Sequence, residues 1–246
     1  MKKNIFICCT EQSGENLCFN ILSKLDLNNY NVDGVCGARS EKFLRNKFFD
    51  ISDFKSIGLL EVLISLPKYL SMINYLKNII IQNQYDLVIC IDSPDFNYNL
   101  VKSLRKKKFN NKIIQIVAPT VWAWRPSRAK NFAKIYNEIF LLFDFEKKYF
   151  NYPNLKTLFI GHPIFHIKKK INQDSNRYIA FLPGSRENEI NKLFKYFDKI
   201  EKYISNNNLQ WKIFIPTLPH LLKKIENRTR LWKTKTVITD NIDNFD

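Results

Sequence analysis

Four short turns in this chain carry residue types that can do chemistry, and each follows an apolar run. The first, CIDSPDFN, sets Asp92 at the end of a hydrophobic stretch, with Pro94 stiffening the turn and Asp95 just beyond it. A carboxylate in that position can serve as a general base, a contribution of about 10²–10⁴ in rate. Asp95 can alternatively cap the helix that follows. The second turn, FLPGSRENE, runs from an apolar strand pattern through Gly184 and Ser185 to Arg186 and a helical pattern. Backbone N–H groups at a helix N-terminus beside an arginine fork make an anion site. No Gly-Lys-Ser/Thr follows, so it is not a Walker loop. The third, IIQIVAPTVWAWRPSR, holds Trp122 and Trp124, with Arg125 and Arg128 close behind. If extended, this segment points both tryptophans the same way. Aromatics beside arginine suit a sugar face or acyl chain next to phosphate; the alternative is two core tryptophans wedged between loop and sheet. The fourth, TEQSGEN, offers Ser13 as a helix cap and Gly14 as a point where backbone can approach a ligand.

These turns need elements to hold them. IFICC (5–9), VDGVCG (32–37), DLVICID (86–92), KIIQIV (112–117), EIFLLF (138–143) and TLFI (157–160) are short, nearly continuous apolar runs. Helical patterns lie between several of them, over about residues 15–24 and 98–108, and Pro126 with Ser127 starts another. Continuous rather than alternating apolar strands predict a parallel sheet covered by helices on both faces. Residues 167–176 are polar and lose the period, which predicts a linker. A second unit follows: a strand at 178–182, a helix at 187–205, and strands at 211–216 and 235–239. Its three strands are fewer than a complete doubly wound domain has. The expected fold class is therefore α/β, with two Rossmann-like domains built on parallel sheets. The first spans 1–166, and the second, 177–246, is incomplete.

The bulk composition narrows the partners. The chain has 246 residues, 45% apolar and 14% aromatic, enough for one large or two ordinary domains with a core. Lys+Arg is 39 against Asp+Glu 23, a formal charge of +16. Such an excess favours an anionic partner: nucleic acid, membrane surface or phosphorylated substrate. The cations are mostly lysine amid abundant Asn and Ile, a mixture that AT-rich coding DNA also produces. They are scattered and accompany no nucleic-acid-binding motif, so no nucleic-acid partner is expected. The five cysteines show no C-x-x-C spacing and sit in or beside apolar segments. They predict buried, reduced thiols in a cytoplasmic protein, and no metal site is expected. No run reaches the roughly 18 apolar residues of a membrane-spanning helix. One segment, IGLLEVLISLPKYL, places Leu59, Leu60, Leu63, Leu66 and Leu70 mostly on one helical stripe, with Pro67 interrupting or kinking it. The stripe fits a core-facing helix or a membrane-contact patch.

Taken in order, EQSGE, IGLLEVL, IDSPDFN, PTVWAWRPSR, FEKKYF, FIGHP and FLPGSRENEI resemble the lipid-A-disaccharide synthase family from residue 5 to about 216. The resemblance implies an inverting glycosyltransferase of the GT-B type. Such an enzyme joins UDP-2,3-diacylglucosamine to 2,3-diacylglucosamine 1-phosphate (lipid X) and releases UDP, at the inner face of the Gram-negative cytoplasmic membrane. It implies Asp92 as the base for the acceptor 6-hydroxyl, and Arg186 with Gly184 and Ser185 as stabilisers of phosphate charge. Ser13, Gly14, Glu15, Asp95, Trp122, Trp124, Arg125 and His162 become substrate- or phosphate-binding candidates. Leu59, Leu60, Leu63 and Leu66 become membrane contacts. No metal or other cofactor is implied, the UDP-sugar being a substrate. This sequence has His166 and Glu15 where the family usually has aspartate, and the family's later donor-side loops do not follow. The alternative is a fragment that binds lipid substrate or membrane without turnover.

Overall fold

The computed structural model describes residues 2–54, 61–163, 177–185 and 187–240, with backbone alone over 61–65. The chain divides into two compact units, Met1–Lys168 and Lys169–Asp246.

The first unit is built on seven strands: β1 (Lys3–Cys9), β2 (Tyr30–Cys36), β3 (Asn46–Asp50), β4 (Leu87–Ile91), β5 (Lys112–Ile116), β6 (Glu138–Leu141) and β7 (Lys156–Phe159). They lie in the order β3-β2-β1-β4-β5-β6-β7, and every pairing is parallel. The apolar runs are continuous because alternate residues enter two different cores. Phe6, Cys8, Val88 and Cys90 pack with Leu76 and Ile80 of α2 (Glu61–Gln82) and with Phe96, Leu100 and Leu104 of α3 (Pro94–Lys106). Phe132 of α4 (Ser127–Ala133) joins the same core. Ile5, Ile7, Cys9, Ile91 and Ile116 face the other way, onto Cys18 and Leu22 of α1 (Gln12–Leu22). The chain winds outward from β1 to β3, then returns through α2 to continue on the other side with β4. The reversal leaves a topological switch point between β1 and β4, where open parallel sheets bind ligands at their carboxyl ends.

The second unit has a three-stranded parallel sheet, β10-β9-β8, from β8 (Arg177–Ala180), β9 (Trp211–Pro216) and β10 (Thr236–Thr239). It is covered by α5 (Glu187–Asn206) and α6 (Leu222–Thr229). Phe181, Ile190, Phe194, Ile213, Ile215 and Ile225 form its core.

Three local expectations are corrected. Helix α1 begins at Gln12 rather than near Glu15, because Glu11, not Ser13, is its N-cap, without a side-chain cap bond. Strand β3 is absent from the sequence reading: NKFFD is short and only partly buried. Pro67 does not interrupt α2, which is helical throughout its 22 residues.

Candidate functional site

Asp92 stands one residue past β4, at the switch point. Its backbone is left-handed, with φ 54°, and so is that of Ser93, with φ 44°. Non-glycine residues hold this conformation at a cost of about 1–3 kcal/mol each, and do so where their surroundings over-determine it. Here the surroundings are explicit. The Asp92 N–H donates to the Ile116 carbonyl at 2.9 Å. Its own carbonyl accepts from Asn97 Nδ2 at 2.8 Å and Gln115 Nε2 at 2.9 Å. Both amide side chains are fully buried. Gln115 also donates to the Ile116 and Val117 carbonyls at 3.2 Å each, where Val117 is itself left-handed at φ 73°. A β-branched residue there is an outlier. The strained backbone is thus gathered at the carboxyl edge of β4 and β5, with the Asp92 carboxylate as its product.

That carboxylate accepts a 2.5 Å hydrogen bond from the Ser13 hydroxyl. Ser13 therefore orients Asp92 from the first turn of α1 and does not cap the helix. Gly14 has a packing role and is not among the residues lining the cavity. A Cβ there would lie 2.9 Å from Cys9 Sγ and 3.3 Å from Asp92 Cβ, so only glycine lets the turn come this close. Ser13 and Asp92 open on a cavity of about 620 Å³, whose other walls include Asn16, Asn20, Arg39, Val117, Leu142 and His162. A larger cavity, about 710 Å³, lies in the second unit beside Arg177, Trp211 and Lys235. It is at the amino ends of its strands, the wrong end for ligands of a parallel sheet.

Glu15 is not among the residues lining the Asp92 cavity. Its carboxylate is buried and accepts the backbone N–H groups of Gly37 and Ser40, each at 2.9 Å. This corrects the sequence expectation of substrate contact: the group holds a loop. Asp95 makes no cap bond either; it pairs with Arg128 at 2.6 Å.

The two tryptophans are solvent-exposed, 44% and 55%, which removes the core reading. Their segment is a turn, not extended, so they part company. Trp122 meets Phe145 edge-on at 5.4 Å; Phe145 stacks on Phe143, and Phe143 on His162, each at 5.6 Å. This aromatic row, from the loop after β5 to the loop after β7, reaches the cavity at His162. The guanidinium of Arg125 lies 4.0 Å from the Trp124 ring centroid. In the second unit Gly184 is left-handed at φ 86°, and the Ser185 N–H donates to Glu189 at 3.0 Å. Arg186 lies outside the described residues, as do Leu59, Leu60 and the Leu63 side chain. Leu66 is half-exposed on α2.

All five cysteines are buried free thiols. Among the described residues one trio, Cys9, Glu15 and Cys18, has its donor atoms within 4.8 Å of one another. Its chemistry does not suit a metal. Both Glu15 oxygens already serve backbone amides, and a hydrogen bond with Cys18 together with burial pushes the Cys9 thiol far up, whereas metal ligands must be thiolates.

Sequence reasoning missed Asn97, Gln115, Arg39 and the Phe143–Phe145 pair. A single glutamine set among the isoleucines of β5 was the one available signal.

The doubly wound first unit, the parallel second unit and the strand-end site define a fold of the GT-B type. Solved structures agree at the level of fold. A putative UDP-N-acetylglucosamine 2-epimerase from Listeria monocytogenes matches with TM-score 0.63 at 11% identity, covering 98% of this chain and 70% of that one. The UDP-GlcNAc 2-epimerase from Neisseria meningitidis bound to UDP-GlcNAc matches with TM-score 0.60 at 13% identity, over 98% and 73%. Residues 5–243 match the family described as Lipid-A-disaccharide synthetase, and the chain belongs to it. The lipid-A-disaccharide synthase of Wigglesworthia glossinidia brevipalpis is 34% identical over 239 residues, 90% of this chain and 61% of that protein. That of Rickettsia prowazekii is 33% identical, over 87% of this chain and 60% of that protein. The chain thus spans about three-fifths of the length of these relatives.

Proposed function

We propose that this chain carries the acceptor-side machinery of an inverting glycosyltransferase of lipid A biosynthesis, with UDP-2,3-diacylglucosamine as donor and 2,3-diacylglucosamine 1-phosphate as acceptor. The observation that carries the reading is Asp92: a carboxylate fixed by strained backbone and by Ser13 at the switch point, open to a cavity. Asp92 takes the proton of the acceptor 6-hydroxyl. The freed oxygen pair forms the bond to the donor anomeric carbon as the bond from that carbon to phosphate breaks, and its electrons leave with UDP. Attack opposite the leaving group inverts the anomeric centre. Arg186 with the Gly184 and Ser185 amides stabilises phosphate charge on the departing UDP, the Ser185 N–H exchanging the Glu189 carboxylate for a phosphate oxygen. A sugar hydroxyl as nucleophile needs one base, and arginine supplies the countercharge, so the step as written uses no metal or other cofactor. The aromatic row from Trp122 to His162 offers apolar faces to the acylated sugar. The chain works at the cytoplasmic face of the inner membrane, which the half-exposed Leu66 and Leu70 support. No helix among the described residues is long and apolar enough to cross a membrane.

A second reading, binding of the acylated phosphosugar without transfer, is favoured by one fact: every residue lining the Asp92 cavity belongs to the first unit. Incubation with donor and acceptor separates the two. Disaccharide and UDP formed together support transfer; saturable acceptor binding with no product supports the second reading.

A further inference from the structure

The cavity beside Asp92 contains one arginine, Arg39, which the reaction above does not use. It is held unusually well for an exposed residue. Its Nη1 donates to Asn16 Oδ1 at 2.8 Å, and its guanidinium lies 4.1 Å from the Phe19 ring centroid. Its backbone is pinned on both sides, because Glu15 accepts the N–H groups of Gly37 and Ser40. Glu15 sits two residues after Ser13 on α1, so one buried carboxylate couples the wall that orients Asp92 to the loop that presents Arg39. A guanidinium has five N–H donors in a planar fork suited to phosphate oxygens. The single contact to Asn16 and the stacking on Phe19 fix the plane and leave the rest of the fork. The other arginines of this edge are committed differently. Arg128 pairs with Asp95, and Arg125 lies over Trp124 and is not among the cavity's lining residues.

We infer that Arg39 is the phosphate-recognising residue of the acceptor site and sets the direction in which a phosphosugar lies there. The identity of the acceptor rests on the glycosyl-transfer reading. With the phosphate on Arg39, the far end of the sugar, carrying its primary hydroxyl, is turned toward Asp92. The reversed pose sets phosphate against the Asp92 carboxylate and leaves the guanidinium without an anion. One attraction and one repulsion thus select the same pose.

The test is equilibrium binding of a short-chain 2,3-diacylglucosamine 1-phosphate and of its dephosphorylated counterpart to the wild type, Arg39→Met and Arg125→Met. Hydrogen bonds to charged groups predict that the wild type prefers the phosphorylated form by about ten- to a hundredfold. Arg39→Met should erase that preference and keep the affinity for the dephosphorylated sugar, whereas Arg125→Met, whatever it does to affinity, keeps the preference. The inference is overturned if the wild type binds neither or shows no preference, or if the preference survives in Arg39→Met. It is equally overturned if Arg125→Met is the variant that loses the preference, if Arg39→Met weakens both ligands alike, or if UDP displaces the phosphosugar competitively from this site. Failure of the transfer reading is seen separately, as absence of disaccharide while the phosphate preference persists.

Discussion

Asp92, the proposed base, has its backbone held in place by groups that do not line the cavity it faces. Its left-handed backbone is held through its carbonyl by Gln115 and Asn97, two buried amides on β5 and α3. Replacing Gln115 by leucine removes donors to three carbonyls. The expected loss is about 1–3 kcal/mol of stability, with a drop in turnover measured well below the melting midpoint, because the Asp92 backbone relaxes. Stability lost with turnover unchanged would assign Gln115 to the core alone. Asp92 itself was legible from its place after an apolar strand. Ser13 and Glu15 were legible as residues of interest, but their partners were not, since those lie 79 and 22 to 25 positions away in the chain. The local pattern suggested a cap at Ser13 and the family resemblance a ligand contact at Glu15; long-range packing made one an orienting donor and the other a buried staple.

The strands were readable because a parallel sheet buried on both faces leaves continuous apolar runs; β3 was not, because NKFFD sets only two phenylalanines between charged residues, whereas the other edge strand, β7, still carries an apolar run. What holds β3 in place is an ionic cluster. Asp33 on β2 is buried and accepts from the Arg45 fork at 2.5 and 3.0 Å, from the Tyr85 hydroxyl at 2.7 Å, and from the Asn46 backbone and side chain at 3.0 Å each. Burial by itself would raise the Asp33 carboxyl; the donors, Arg45 foremost, outweigh it and hold the group below its ordinary value. A carboxyl lowered in the folded state contributes stability that is complete above the unfolded value, about 3.9, and lost as pH falls through the folded one. Asp33→Asn should therefore lower stability at neutral pH and flatten its decline below about pH 4. Chemical denaturation from pH 7 to pH 3 reads both effects, and an unchanged acid limb would contradict the assignment. Helix α2 gives a similar contrast. Among its described side chains the first buried one is Met72, while Leu66 and Leu70, one turn apart, are 47% and 55% exposed. The leucine periodicity was visible in sequence, but periodicity alone does not tell which stripe meets core and which meets solvent.

At the scale of the molecule, a charge of +16 and exposed leucines on one helix fit reversible attachment to an anionic bilayer. Each buried leucine contributes about 1.5–3 kcal/mol and each nearby lysine about 1 kcal/mol. Leu66→Glu with Leu70→Glu should reduce sedimentation with phosphatidylglycerol-containing vesicles at least about tenfold, and raised salt should weaken the wild type. Binding unchanged by the substitutions would remove this helix from the membrane contact. Two parallel α/β units could be foreseen because every strand but β3 shows its own apolar run; the switch point that joins Ser13 to Asp92 could not, since strand order is settled by tertiary packing. Whether Asp92 is the base is read from paired quantitation of disaccharide and UDP. In the protein carrying this chain, supplied with UDP-2,3-diacylglucosamine and 2,3-diacylglucosamine 1-phosphate, one UDP per disaccharide is expected, with a loss of about 10²–10⁴ in turnover for Asp92→Asn. Turnover by Asp92→Asn within a few-fold of wild type, at matched folded protein, would contradict it.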